Sequence, residues 1–135
     1  LTPHPGEMAR LAGIPTRDVQ LDRVEVCRRF AQTHDCHVVL KGHRSLVGTP
    51  DGWVYVNPTG NPGLATGGTG DVLTGLLTGL LATGLPVLDA LLVGVYVHGL
   101  AGDRAADQIG LSAITSRSQL DFLPLAMQEI EELDA

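Results

Sequence analysis

Asn57-Pro58-Thr59-Gly60-Asn61-Pro62-Gly63-Leu64-Ala65-Thr66-Gly67-Gly68-Thr69-Gly70-Asp71-Val72-Leu73 is the stretch on which the reading of this chain turns. Its first fourteen residues hold two prolines and five glycines, so no regular structure is expected before Gly70. Asp71 then opens a predicted helix to about Ala82, ended by Gly84 and Pro86. Glycines ahead of a helix let the backbone approach a ligand and turn its N–H groups inward. The helix N-terminus adds unpaired amide donors and about half a positive charge. Together they form a site for an oxyanion, best a phosphate. An aspartate at its mouth can take a proton from a substrate hydroxyl while the amides stabilise charge on a moving phosphoryl group. The bland reading is a capping Asp after a glycine turn. Two familiar motifs are excluded: no Gly-Lys-Ser/Thr completes a Walker loop, and Leu73 stands where a GxGxxG fingerprint needs its last glycine.

Upstream, Leu1–Gly6 is Pro-rich and reads as a loop leaving the end of a strand, followed by a short helix over Glu7–Ala12 stopped by Gly13 and Pro15. Apolar spacing from Asp18 to Thr33 predicts one helix, with Thr16 or Asp18 as its cap. His37–Lys41 is a compact run suited to a strand buried on both faces. Thr49-Pro50-Asp51-Gly52 is a turn signal between Ser45–Gly48 and Trp53–Val56, which predicts a hairpin. Downstream, helices are expected over about Leu88–Ala106 and Asp121–Leu133, with Pro124 in the first turn of the latter. Strands, a glycine loop and then helices predict an α/β layer architecture, with too few strands for a complete doubly wound sheet.

The 135 residues leave room for one domain and one core. With 44% apolar residues and only 4% aromatic ones, Leu, Val, Ala and Ile must fill that core. The net charge of −6 argues against nucleic acid, which calls for a basic stripe. Leu76–Leu92 is the most apolar stretch, but Thr78, Thr83, Gly84, Pro86 and Asp89 interrupt it, so no membrane span is expected. The chain opens without a charged segment leading into an apolar one, so no signal peptide is expected either. Cys27 and Cys36 form neither a disulfide framework nor a metal spacing and read as reduced thiols of a cytosolic protein.

Gly68-Thr69-Gly70-Asp71 resembles the anion-hole and catalytic-aspartate signature of ribokinase-like enzymes. The whole stretch from Asn57 to Leu73 resembles the narrower hallmark of the NAD(P)H-hydrate dehydratases, the carbohydrate-kinase-like family that repairs damaged NADH and NADPH. Thr2-Pro3-His4-Pro5-Gly6-Glu7, Val38-Val39-Leu40-Lys41-Gly42 and His98-Gly99-Leu100-Ala101-Gly102-Asp103 resemble further blocks of that family in the same order. The resemblance implies a ribokinase-like three-layer α/β/α sandwich, of which residues 1–135 are the C-terminal half. It implies dehydration of hydrated NADH or NADPH at the expense of ADP or ATP hydrolysis. His4 would contact the hydrated dinucleotide, with Asp71 as acid/base partner. Lys41, Gly42, His43, Arg44 and Ser45 would cradle the AMP part of the nucleotide. Gly70 would donate its amide to phosphate, with Gly67, Gly68 and Thr69 lining the same hole. Mg²⁺ is expected to bridge the phosphates, although no compact ligand cluster marks its place. A cytoplasmic homo-oligomer, by family resemblance a tetramer, completes the expectation.

His43-Arg44-Ser45 departs from the small residue and Thr that often follow Lys-Gly in the family, which bears on ADP versus ATP. Family domains are about twice as long, so the chain is expected to be a fragment, a proteolytic product or one part of a split protein. A ribokinase-like kinase for a vitamin precursor such as hydroxymethylpyrimidine or hydroxyethylthiazole is the alternative enzyme, and an inactive nucleotide-binding fragment the non-enzymatic one. Outside these motifs, His98 and Asp103 read as packing or supporting residues, five apart and so not sharing a helix face. Trp53 reads as a packing anchor, and Glu129, Glu131, Glu132 and Asp134 as a solvated helix end.

Overall fold

The computed structural model describes residues 1–133, the Leu133 side chain excepted, so Asp134 of the acidic run lies outside it. The chain divides into two compact units, Leu1–Asn57 and the residues from Pro58 onward, where length alone suggested a single core. Among the described residues no helix is long and apolar enough to cross a membrane.

The first unit contains α1 (Pro5–Ala12), α2 (Thr16–Leu21), α3 (Arg23–Thr33) and the strands β1 (Val38–Leu40), β2 (Leu46–Gly48) and β3 (Val54–Val56). The strands form an antiparallel sheet in the order β1-β2-β3, with Val39 opposite Val47 and Val47 opposite Tyr55. β1 is buried along its whole length, as its unbroken apolar run requires. The predicted hairpin forms: Thr49 N and Trp53 O bond at 3.0 Å, and Gly52 takes the positive φ of 93° that the turn needs. Beyond β1 the sheet gains a parallel neighbour, because the Val39 and Lys41 amides donate to the Leu1 and Pro3 carbonyls at 2.7 and 2.9 Å. Met8, Val19, Cys27, Phe30 and Val38 meet in the core of this unit.

The single helix expected over Asp18–Thr33 is two. Asp22 leaves the helical region at φ −144°, ψ 72°, and its carboxylate accepts from Glu25 N at 3.0 Å, capping α3. Neither Thr16 nor Asp18 is a cap, since both lie inside α2, which follows Pro15 without a side-chain cap.

The second unit carries α4 (Thr69–Ala82), α5 (Val87–Ile109) and α6 (Ser116–Leu133). Val97, Leu100, Ala101 and Ala126 are buried together, with Leu76, Tyr96 and Phe122 packed on them. The loop before α4 is not wholly irregular: Pro62–Leu64 forms one 3₁₀ turn, capped by the Asn61 side chain, whose Oδ1 accepts from Gly63 N at 3.0 Å. α6 begins earlier than expected because Thr115 and Ser118 cap each other, Ser118 N to Thr115 Oγ1 at 3.1 Å and Thr115 N to Ser118 Oγ at 2.8 Å. Pro124 therefore lies inside the helix rather than in its first turn. The acidic end of α6 is not merely solvated, since Glu129 takes Arg104 of α5 through two bonds of 2.6 Å.

Helix α5 owes its close packing to bare α-carbons. A Cβ at Gly94 would overlap the Leu77 side chain of α4, and one at Gly102 would lie 2.7 Å from Leu64. One at Gly99 would overlap Thr59 Oγ1 and come within 2.7 Å of the Thr59 carbonyl carbon. The glycine loop thus lies directly on α5.

Candidate active site

In the second unit, Gly68 is the N-cap of α4 in a left-handed conformation, φ 90°, that a side chain would strain. A Cβ there would also lie 2.9 Å from Ser116 Oγ at the start of α6. The Asp71 and Val72 amides both donate to the Gly68 carbonyl at 3.1 Å, so the helix closes its first turn on that residue. The amides ahead of them, on Gly68, Thr69 and Gly70, are those a helix start leaves without intrahelical acceptors. Gly67 is exposed and a Cβ there would meet nothing within 4 Å, so the loop is open to an incoming group.

Thr69 is buried and serves the loop rather than a ligand. Its hydroxyl lies 2.8 Å from the Leu64 carbonyl and 2.9 Å from that of Thr66, and it donates back into the preceding turn. The next residue but one, Asp71, is exposed in the first helical turn and makes no ion pair among the described residues. It is the third helical residue, so the N-cap position read for it belongs instead to Gly68. A carboxylate held beside open amides, in the positive field of a 14-residue helix, suits a base acting on a hydroxyl whose neighbour is a phosphate.

Two α5 residues bind this loop. His98 Nε2 lies 2.8 Å from the Thr69 carbonyl. Asp103 accepts from Gly60 N and from Asn61 Nδ2, both at 2.9 Å. The supporting role read for them holds, but their five-residue spacing does not separate them from one common target. Further back, Gln119 of α6, fully buried, donates to the His98 carbonyl at 3.0 Å, while its own Oε1 has no partner.

The candidates of the first unit form a second cluster. His4 is the N-cap of α1, its Nδ1 accepting from Gly6 N and Glu7 N at 3.1 and 3.2 Å. Glu7 accepts in return from His4 N at 2.7 Å, lies 3.4 Å from His4 Nε2, and is 3.7 Å from Lys41 Nζ. The His4 amide, aided by Lys41, the His4 ring and Arg10, holds the Glu7 carboxyl below its ordinary range against the opposing effect of burial. So Glu7 joins two candidate residues far apart in sequence. Glu7 is legible in the sequence only as the far end of His4-x-x-Glu7, a capping-box pattern with histidine in place of the usual hydroxyl.

The Lys41–Ser45 loop has a backing residue that sequence reasoning missed. Arg23, at the start of α3, donates to the Leu40, Lys41 and His43 carbonyls, while its Nε is buried without a partner. Burial pulls its pKa down from the ordinary value. The Lys41 amide donates to the Pro3 carbonyl, and the Lys41 carbonyl accepts from Arg23. What stays open is Gly42, His43 and Arg44, all exposed, with Arg44 at a left-handed φ of 52°. Ser45 Oγ donates to the Gly42 carbonyl at 3.4 Å. No local signal marks Arg23, because its partners are main-chain carbonyls 17 to 20 residues away.

Among the described residues no three His, Cys, Asp or Glu side chains gather as a metal cage. The residues present therefore assign no place to Mg²⁺.

The NAD(P)H-hydrate dehydratase family model matches residues 1–124. A bifunctional NAD(P)H-hydrate repair enzyme of Moorella thermoacetica is 50% identical over 132 residues, 98% of this chain and 25% of that protein. An ADP-dependent (S)-NAD(P)H-hydrate dehydratase of Bacillus subtilis is 37% identical over 97% of this chain and 48% of its own length. The chain thus spans a quarter to a half of the relatives it matches. A crystal structure of the ADP/ATP-dependent NAD(P)H-hydrate dehydratase from Bacillus subtilis, co-crystallized with ATP/Mg²⁺, superposes with a TM-score of 0.92 over 96% of this chain and 47% of that one. A ribokinase-like superfamily protein from Enterococcus faecalis, 31% identical, gives 0.78 over 94% of this chain and 43% of that one. The expected α/β ribokinase-like fold is the fold of these neighbours.

Proposed function

The chain belongs to the NAD(P)H-hydrate dehydratase family, and from that premise we propose that it is the C-terminal half of a domain that returns hydrated NADH or NADPH to the dihydronicotinamide at the expense of ADP or ATP. The observation that carries this reading is Asp71, exposed in the first turn of α4 directly after the glycine-lined amides. The hydroxyl of the hydrated ring is a poor leaving group, and the nucleotide supplies the phosphoryl group that makes it a good one. Asp71 accepts the hydroxyl proton as that group arrives. The amides of Gly68, Thr69 and Gly70, with Gly67 leaving the approach clear, stabilise the phosphate oxygens. Phosphate then leaves with the C–O bonding pair while the adjacent ring carbon gives up a proton to the departing phosphate or solvent, which restores the ring double bond. His4 contacts the dinucleotide, and the exposed part of Lys41–Ser45 holds the AMP portion. Magnesium use is part of the proposal through the phosphates alone, and no step is routed through a metal. Relatives named as hydrate dehydratases do not favour the vitamin-kinase alternative. A homo-oligomer and a cytoplasmic location belong to the same proposal, the location being in keeping with the free thiols of Cys27 and Cys36.

The test is recovery of dihydronicotinamide absorbance from hydrated NADH with ADP. It compares the chain and its Asp71→Asn variant, each alone and supplemented with the remainder of a relative's domain. Asp71→Asn should abolish recovery wherever the unaltered chain supports it. A variant that regenerates NADH at the unaltered rate overturns the role of Asp71.

A further inference from the structure

We infer that His98 and Asp103 are positioning residues: together they clamp the glycine loop onto α5 and set its amides for phosphate before any ligand arrives. The inference rests on the reading of Gly67–Gly70 as the phosphate site and adds what gives that site its shape. On a helix of 3.6 residues per turn, His98 and Asp103 lie ~140° apart around the axis, with Gly99 and Gly102 between them. Those two glycines are the bare strip on which the loop rests, Thr59 against Gly99 and Leu64 against Gly102. The flanking side chains grip the loop on either side of that strip.

The grip is continuous in hydrogen bonds. Asp103 fixes Gly60 N and Asn61 Nδ2 at 2.9 Å. Asn61 Oδ1 caps the Pro62–Leu64 turn through Gly63 N. The Leu64 carbonyl at the end of that turn accepts from Thr69 Oγ1 at 2.8 Å, and the Thr69 carbonyl faces His98 Nε2 at 2.8 Å. A carbonyl only accepts, so Nε2 carries the hydrogen. A loop this rich in glycine loses much conformational freedom when ordered. Anchoring both of its ends on one rigid helix removes that cost from the binding step. Gly60 also takes a left-handed φ of 103°, so Asp103 holds the chain at a bend that only glycine adopts freely.

Exchanging one atom pair isolates the clamp from charge and size. Asp103→Asn keeps an acceptor for Gly60 N but sets a donor against the Asn61 Nδ2 donor. The swapped double variant, Asp103→Asn with Asn61→Asp, restores every bond: Asn at 103 accepts from Gly60 N and donates to Asp at 61, which still accepts from Gly63 N. Pyrophosphate and adenosine are titrated calorimetrically into the chain, and amide exchange is followed from Gly60 to Gly70. Asp103→Asn should weaken pyrophosphate about tenfold, the loss expected for one charged hydrogen bond, and leave adenosine affinity unmoved. The double variant should return to within about twofold of the unaltered chain. Unchanged pyrophosphate affinity in Asp103→Asn, or no rescue in a double variant that melts normally, overturns the clamp. If the unaltered chain takes no pyrophosphate, the phosphate-site reading has failed and amide exchange alone decides the clamp. Faster exchange in Asp103→Asn, restored by the swap, then supports it, and unchanged exchange overturns it.

Discussion

The Arg23 guanidinium closes against the bare α-carbon of Gly42, so that a Cβ built there would lie 2.9 Å from Nη2. The same guanidinium bonds the Leu40, Lys41 and His43 carbonyls, so it cannot retreat without breaking them. Gly42 also sits at φ 144°, where side chains are strained. Gly42→Ala should therefore lower stability by about 1–3 kcal/mol in chemical denaturation. Arg23→Met should also destabilise, by about 2–4 kcal/mol, because it leaves carbonyls unpaired. An Arg23→Met protein as stable as the unaltered chain would show that these bonds do not hold the loop.

Acid should loosen the His4–Glu7–Lys41 cluster. The Glu7 carboxyl titrates below the ordinary 4.5 in the folded chain, so on acidification the unfolded chain takes its proton first. Its stabilising contribution is complete above 4.5 and is lost as pH falls through the lowered folded value. In Glu7→Gln that contribution is missing at every pH. The difference in Tm between the two proteins should be largest near neutrality and shrink steadily below 4.5. A difference that grows towards acid would contradict the assignment.

Cysteine labelling should separate the two thiols. Cys27 is fully buried, and burial pushes its thiol up to about 11, whereas Cys36 is only half-buried. At about pH 8 the native chain should take one alkylating group, on Cys36, and a second only after unfolding. Peptide mass mapping reads this directly.

Pro124 is exposed inside α6, where it withholds an amide from the helix and crowds the preceding turn. Pro124→Ala should raise stability by about 1–3 kcal/mol, visible as a higher Tm. A lower Tm would mean that the proline sets a bend on which α6 depends.

The hairpin was legible because Thr49–Gly52 carries its own turn chemistry, and α4 because the apolar spacing of Leu73, Leu76 and Leu77 begins just after the glycine-rich run. The break at Asp22 and the early start of α6 at Thr115 were missed for a common reason. Each is made by one polar side chain bonding an amide three residues on, a signal that apolar spacing overrides. Asp71 and the Gly67–Gly70 loop could be singled out because the proposed base and the proposed phosphate amides are neighbours in sequence. The partners that shape the site were harder to find. Asp103 reaches residues 42 and 43 positions away, and Arg23 reaches 17 to 20, so only the folded chain pairs them.

The parallel neighbour of β1 has one more consequence. In parallel pairing a residue sends both its main-chain groups to the same side, and the side alternates along the strand. Leu1 and Pro3 turn theirs toward β1, which aims the amide and carbonyl of Thr2 outward. That rim is sticky, in the way any unsealed β edge invites a guest strand. The chain in isolation should therefore cling to copies of itself at high concentration, and a peptide that hydrogen-bonds to Thr2 should keep it dispersed.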